Sequence, residues 1–204
     1  MRRPSSPLPY RVAGLVAAAG RSSRMGEAKA LLRIDGAPFV TRLVDAFLAA
    51  GLAPVVVTLP DGTDATAVRE ALAGRAVTAV PNAYPDEGLS GSVRTALEHI
   101  QDVAALVLSP VDAPFASVEL VRALVDALFA EQGAAAVPVV EGTRGHPVAF
   151  ARGAFELLWT ADAHGGPRGV LDELAPRVVE VSWNDARVTV NVNTPSDLER
   201  VRGR

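Results

Sequence analysis

Residues 12–32 read VAGLVAAAGRSSRMGEAKALL, and this stretch decides the fold. Val12 to Ala18 is a continuous apolar run with β-branched members, the pattern of a strand buried on both faces. It breaks into a loop in which Gly20, Ser22, Ser23 and Gly26 alternate with Arg21 and Arg24, and Lys29 follows. In an open α/β sheet, ligands bind outside the carboxyl ends of the strands, so the loop after the first strand is the first candidate for a site. Small residues let backbone approach a ligand, hydroxyls donate hydrogen bonds, and the cations suit a polyphosphate. Lys29 stands out further, because it is the one lysine among 20 basic residues. The loop is not a P-loop, since no lysine directly follows its second glycine. Nor is it a G-x-G-x-x-G turn, because Gly14, Gly20 and Gly26 lie too far apart.

Beyond this loop, short apolar runs alternate with helical periodicity. Phe39, Leu43, Phe47 and Leu48 fall on one helical face that stops at Gly51. Strands are predicted at Pro54–Leu59, Ala76–Val80, Val103–Ser109 and Ala134–Val140. Between them, helices are predicted over Thr63–Gly74, Ser92–Ile100 and from an N-cap at Ser117 to a stop at Gly133. This rhythm predicts a single doubly wound α/β domain, Rossmann-like, with a mostly parallel sheet and helices on both faces. Residues 1–10 read as a short disordered lead-in and residues 11–204 as the domain. After residue 140 the pattern loosens, so the last third is expected to add a small cap before a final helix, PSDLERVR.

Composition narrows the function. With 204 residues, 49% of them hydrophobic, the chain can bury a real core. A net charge of −3 and a pI near 5.6 argue against a general nucleic-acid binder. There is no cysteine, and His99, His146 and His164 are scattered, which excludes thiolate metal sites and disfavours structural zinc. No apolar run is long enough for a membrane span, and the basic opening lacks the apolar core of a secretory signal. A cytoplasmic location is expected. Trp159 and Trp183 stand too far apart in sequence to read as a stacking platform.

Three further segments fit the first loop. In ALVLSPVDAPF the strand runs into Asp112, an acid at the ligand edge of the sheet, although Asp-x-Pro also suits a turn. NAYPDEGLSGSVRTAL opens a helix with Gly88, Leu89, Ser90, Gly91 and Ser92, leaving backbone N–H groups free for a base or phosphate. VTVNVNTPSDLERV sets Asn193 and Thr194 just before the last helix, where either could also serve as an N-cap.

The pattern A-G-x-S-x-R-M-G-x-x-K, Ala19 through Lys29, resembles the signature loop of nucleotidyltransferases with a GT-A-like fold. Among these it is most similar to the molybdenum cofactor cytidylyltransferases and guanylyltransferases, and the resemblance spans residues 12 to 200. It implies an enzyme in which Ala18, Ala19, Gly20, Ser22, Ser23, Gly88, Leu89, Ser90 and Ser92 seat the nucleotide while Arg24 and Lys29 neutralise the transferring phosphates. It implies Mg²⁺ as cofactor, held by the D-x-P acid Asp112 and by Asn193; many relatives carry aspartate at the second place. TRGHPVAF and HGGPRGVL resemble the acceptor segments, which implies acceptor contacts for His146 and Arg168, though His146 is equally an ordinary turn histidine. An aspartate usual before that arginine is missing here. His99 reads as surface or core filler.

The expected reaction is transfer of CMP from CTP to the phosphate of a molybdopterin-type cofactor with release of pyrophosphate. The Ala at position 19 and GLSGSV favour CTP over GTP. The alternatives are a guanylyltransferase using GTP, transfer to another small phosphorylated acceptor, and a non-catalytic nucleotide- or cofactor-binding accessory protein. A dinucleotide-dependent oxidoreductase is disfavoured by the missing G-x-G-x-x-G. Expected partners are the nucleoside triphosphate, the phosphorylated pterin and, transiently, a molybdoenzyme, with neither nucleic acid nor membrane.

Overall fold

The computed structural model describes residues 8–20 and 28–202. β1 (Val12–Ala17) is buried at all six positions, as its composition requires. After a short turn at Lys29–Leu31, β2 (Arg33–Ile34) and β3 (Ala37–Pro38) form a small antiparallel hairpin. Its Asp35-Gly36 turn has both residues at positive φ, the geometry a two-residue hairpin prefers. α1 (Phe39–Ala50) buries Phe39, Leu43 and Phe47 together with Val40 and Val44, and leaves Leu48 half-buried at the rim. β4 (Val55–Leu59), α2 (Thr63–Ala71) and β5 (Thr78–Pro81) follow the predicted alternation.

α3 (Gly88–Glu98) starts four residues before the predicted Ser92. Its first turn, Gly-Leu-Ser-Gly, looks like a loop from composition. Gly91 is nevertheless helical, and it is glycine because the backbone of Tyr84 packs where a Cβ would stand and would collide with it. β6 (Ala105–Pro110) ends two residues before Asp112. α4 (Val118–Ala130) is capped by Ser117, whose hydroxyl accepts from Leu120 N–H at 3.1 Å. Gln132, not Gly133, takes the left-handed turn that ends it (φ 52). Gly133 is needed for contact instead, since a Cβ there would lie 2.6 Å from Val179 Cγ2. The remaining elements are β7 (Ala135–Val140), β8 (Thr143–Arg144), β9 (Val148–Ala151), α5 (Phe155–Trp159), α6 (Pro167–Leu174), β10 (Val178–Ser182) and α7 (Pro195–Arg202).

The strands form one eight-stranded sheet in the order β10-β7-β9-β6-β1-β4-β5, with β8 paired to β7. β1 pairs parallel with both β4 and β6, and the chain reverses its direction of growth between them. That is the topological switch point, where an open sheet parts its loops and makes a crevice. β9 is the antiparallel exception, lying between β6 and β7. The last third therefore completes the sheet at its centre and at the β10 edge, where a small cap was expected. Extended apolar segments this short cannot reveal their pairing partners from pattern alone.

Alternating side chains of the central strands feed two cores. Val12, Val16, Val107 and Val57 join α1, α2, α4 and α7 on one face. Leu15, Leu106, Leu108 and Val56 join α3, α5 and α6 on the other. Each fully buried Leu, Val or Phe contributes roughly 1.5–3 kcal/mol, so the sheet is held from both sides. Part of the expected lead-in is packed: Tyr10 stacks on Phe129 at 4.1 Å between ring centroids, and Leu8 packs on the first core. Trp159 is also less isolated than its sequence position suggests, for the Arg94 guanidinium lies 5.1 Å from its ring and 4.2 Å from that of Tyr84.

Candidate active site

The carboxyl ends of β1, β4, β5 and β6 open onto a cleft of about 1000 Å³. At its centre Lys29 Nζ donates to Asp112 Oδ2 at 3.2 Å and to Asn193 Oδ1 at 2.7 Å. Three residues spread over 164 positions of sequence thus meet at one point. Each is delivered by a separate device. Lys29 starts the turn that follows the first loop. Asp112 stands two residues past β6, whose ladder with β1 is prolonged by a bond from Val111 N–H to Ala17 O at 3.0 Å. Asn193 is tied to it because the Val192 N–H donates to Asp112 O at 2.7 Å.

Thr194 is the N-cap of α7. Its hydroxyl oxygen accepts from Asp197 N–H at 3.2 Å, and Asp197 Oδ2 accepts from Thr194 N–H at 2.9 Å, a reciprocal capping box. The Thr194 hydroxyl and the Asn193 and Thr194 N–H groups all stabilise the charged carboxylate, so the Asp197 pKa lies below its ordinary value. Capping is therefore done by Thr194, which leaves the Asn193 side chain for the centre of the cleft.

The β4–β5 half of the cleft is lined by Asp61, Asp64, Asn82, Gly88, Leu89 and Ser92, and Ala19 and Gly20 border it from the first loop. Asn82 is held firmly: its Oδ1 accepts from Tyr84 N–H at 3.1 Å and from the Thr95 hydroxyl at 2.9 Å. On the β6 side the cleft is lined by Pro110, Asp112, His146 and Asn191. His146 reaches this edge because β9 runs antiparallel, so the residues entering it lie beside the carboxyl ends of its neighbours. Its N–H donates to Val188 O at 2.8 Å. Its imidazole Nδ1 is buried with no hydrogen-bond partner among the described residues. Burial lowers the His146 pKa and the nearby Asp112 charge opposes this only in part, so the ring is neutral at pH 7.

Several expected site residues fall elsewhere. Ala18 is 3% exposed and belongs to the first core, because it continues the inward-facing alternation of β1. Ser90 is 5% exposed and sits near Gly166, where the helical turn points it away from the cleft. Arg168 is exposed on α6 and does not line the cleft, since α6 docks through Pro167, Val170 and Leu171. Arg24, Ser22 and Ser23 lie outside the described residues. Asp61, Asp64, Asn82 and Asn191 were not read as site residues. For Asp61 and Asn82 the signal was present, as each stands two residues past the end of a predicted strand.

The donor set suits a hard cation. Asp112 and Asn193 present one carboxylate and one amide oxygen converging on a single positive group, which here is the Lys29 ammonium. Mg²⁺ is characteristically held by one or two protein oxygens with substrate phosphates and water completing its shell. Among the described residues there is no group of three or more His, Asp or Glu that could hold a metal by itself. Nor does any helix among them have the length and apolarity to cross a membrane.

A mostly parallel sheet with its cleft at the switch point, a lysine on an acid at that point and a glycine-rich helix start opposite fit a nucleotidyltransferase, the class to which the family match assigns the chain. Residues 14–178 match the MobA-like NTP transferase domain, and the chain belongs to that family. It is 30% identical over 196 residues to a molybdenum cofactor guanylyltransferase of Cupriavidus metallidurans, covering 92% of each chain. It is 34% identical over 111 residues to a protein of the same name from Xanthomonas euvesicatoria, a match spanning about half (52%) of that relative. Among solved structures, Rv0371c from Mycobacterium tuberculosis superposes with a TM-score of 0.80 at 29% identity, covering 95% of this chain and 98% of that one. A manganese complex of the same protein superposes with a TM-score of 0.75 at 27% identity and the same coverage.

Proposed function

We propose that residues 11–204 form one domain that moves a nucleoside monophosphate from a nucleoside triphosphate to the phosphate of a molybdopterin-type molybdenum cofactor. The observation behind it is the meeting of Lys29, Asp112 and Asn193 midway along the cleft, with room for a nucleotide on the β4–β5 side and an acceptor on the His146 side. An acceptor phosphate oxygen attacks the α-phosphorus, the bond from that phosphorus to the bridging oxygen breaks, and the electron pair leaves with pyrophosphate. The attacking oxygen is already anionic at neutral pH, so no general base is needed. Catalysis is then positioning and charge neutralisation.

Mg²⁺ held by Asp112 and Asn193 would supply charge neutralisation on the phosphates. Lys29 places a compact ammonium on a flexible stem beside the same phosphates, where a guanidinium fork would crowd them. Gly88, Leu89 and Ser92 form one wall of the nucleotide half. Neutral His146 offers the acceptor a hydrogen bond without competing for the metal as a charge.

GTP is the first nucleotide to test, because the two relatives described above are named guanylyltransferases. The acids Asp61 and Asp64 in the nucleotide half agree with it, since guanine presents N1–H and N2–H donors where cytosine presents only its N4 amine. CTP is the second reading, favoured by Ala19 on the cleft border, whose methyl group narrows the space for a base. The test is thermal unfolding with each of the four ribonucleoside triphosphates, with and without Mg²⁺, followed by pyrophosphate release on adding molybdopterin-type cofactor. At 100 times its Kd a ligand stabilises the fold by roughly 2.7 kcal/mol, a readily measured shift. The largest Mg²⁺-dependent shift identifies the nucleotide. No shift with any of them removes the transferase reading.

A further inference from the structure

We infer that Lys29 and the divalent cation compete for one place between Asp112 and Asn193, so that metal loads with the nucleotide and not ahead of it. This rests on the proposed transfer reaction for the nucleotide half of the argument only. The starting observation is geometric. The oxygens best suited to hold a metal already converge on the Lys29 ammonium, at 3.2 Å from Asp112 Oδ2 and 2.7 Å from Asn193 Oδ1. The ion pair is largely shielded, with side chains 20% and 21% exposed, so it keeps more of its strength than a surface pair.

A dication taking the same two oxygens at the short distances Mg²⁺ requires is repelled by the ammonium already there and competes with it for their lone pairs. Metal arriving alone would have to break this ion pair. A triphosphate changes the balance. Its oxygens complete the metal's shell, and its negative charge gives the Lys29 ammonium a new partner within reach of the same four-carbon stem. Metal and nucleotide therefore strengthen each other's binding, and by linkage the effect is equal in both directions. Lys29 acts as a placeholder in the empty cleft and as a phosphate contact in the filled one. The consequence is that free Mg²⁺ does not occupy the centre between turnovers.

The test uses the full chain and Mn²⁺ as probe, with free Mn²⁺ followed by electron paramagnetic resonance. Wild type is compared with Lys29→Met, which keeps the stem and removes the charge, and with the double variant carrying Lys29→Met and Asp112→Asn. Circular dichroism and the unfolding midpoint report whether each variant is folded. Without nucleotide, Lys29→Met is expected to bind Mn²⁺ at least about tenfold more tightly than wild type, and the double variant to lose that gain. Adding GTP or CTP is expected to raise the Mn²⁺ affinity of wild type by a larger factor than that of Lys29→Met. Equal Mn²⁺ affinities of folded wild type and Lys29→Met without nucleotide would overturn the competition, as would a gain that survives in the double variant. If the nucleotide-free difference appears but no triphosphate binds wild type, the competition stands and the transfer reaction falls.

Discussion

Two residues of the cleft, Lys29 and His146, each make a separate prediction. Lys29 is the only lysine in the chain, and its neighbours Asp112 and Asn193 explain why arginine does not replace it. Lys29→Ala is expected to lower turnover by about 10²–10³, the usual cost of losing one electrostatic contact to a transition state. Lys29→Arg should not restore it, because the broad guanidinium crowds the phosphates that the compact ammonium approaches. Near-normal initial rates in either variant would remove Lys29 from the mechanism. His146 is a matter of pH. Burial holds its folded pKa below the ordinary 6.5, so between the two values the unfolded chain binds more protons than the folded one. Stability is therefore independent of this group above pH 6.5 and declines as the pH falls from 6.5 through the lowered value. His146→Gln should show a shallower decline over that window in denaturant titrations. Identical slopes for the two proteins from pH 7 to pH 4.5 would mean the imidazole is not held neutral.

At the scale of elements, two helix starts shape the site by different means. α7 begins with the capping box of Thr194 and Asp197, and this box holds the backbone from which Asn193 reaches Lys29. Thr194→Ala is expected to cost about 1 kcal/mol of stability, the typical loss of an N-cap. It should also weaken Mn²⁺ binding in the presence of nucleotide, since the segment carrying Asn193 loses its anchor. A variant with lowered stability and unchanged Mn²⁺ affinity would show that Asn193 is placed by its bond network with Asp112 alone. α3 begins with glycines for reasons of space. Gly91→Ala drives a methyl group into the Tyr84 backbone, which cannot yield as a flexible side chain would. The expected loss is about 1–3 kcal/mol, as for other overpacked positions, together with weaker nucleotide binding because Asn82 and Gly88 flank the displaced turn. An unfolding midpoint within a degree of wild type would contradict the packing described. The composition of both segments was readable in sequence. What it could not show was the close packing that requires glycine at 91, because the Tyr84 backbone it faces belongs to a neighbouring turn.

For the molecule as a whole, the sheet separates two cores that share few partners. Val44 on α1 lies in one and Val93 on α3 in the other. Val44→Ala and Val93→Ala should each cost about 2 kcal/mol from lost apolar burial. Because they stand on opposite faces, the double variant should equal the sum within about 0.5 kcal/mol in urea titrations. A larger coupling would mean that the two cores unfold through a shared contact across β1 and β6. The amino-acid sequence by itself determined the alternation of strands and helices, the ligand edge after β1, and the chemical types at Lys29, Asp112 and Asn193. Those follow from local periodicity, from turn-forming residues and from charge, none of which needs a partner elsewhere in the chain. Only the tertiary structure decided that β9 runs antiparallel through the middle of the sheet and so delivers His146 to the cleft. It alone also turned Ala18, Ser90 and Arg168 away and set Lys29 between Asp112 and Asn193. Strand order, side-chain direction and contacts across 164 positions depend on which surfaces pack together, and a one-dimensional pattern does not encode that choice locally.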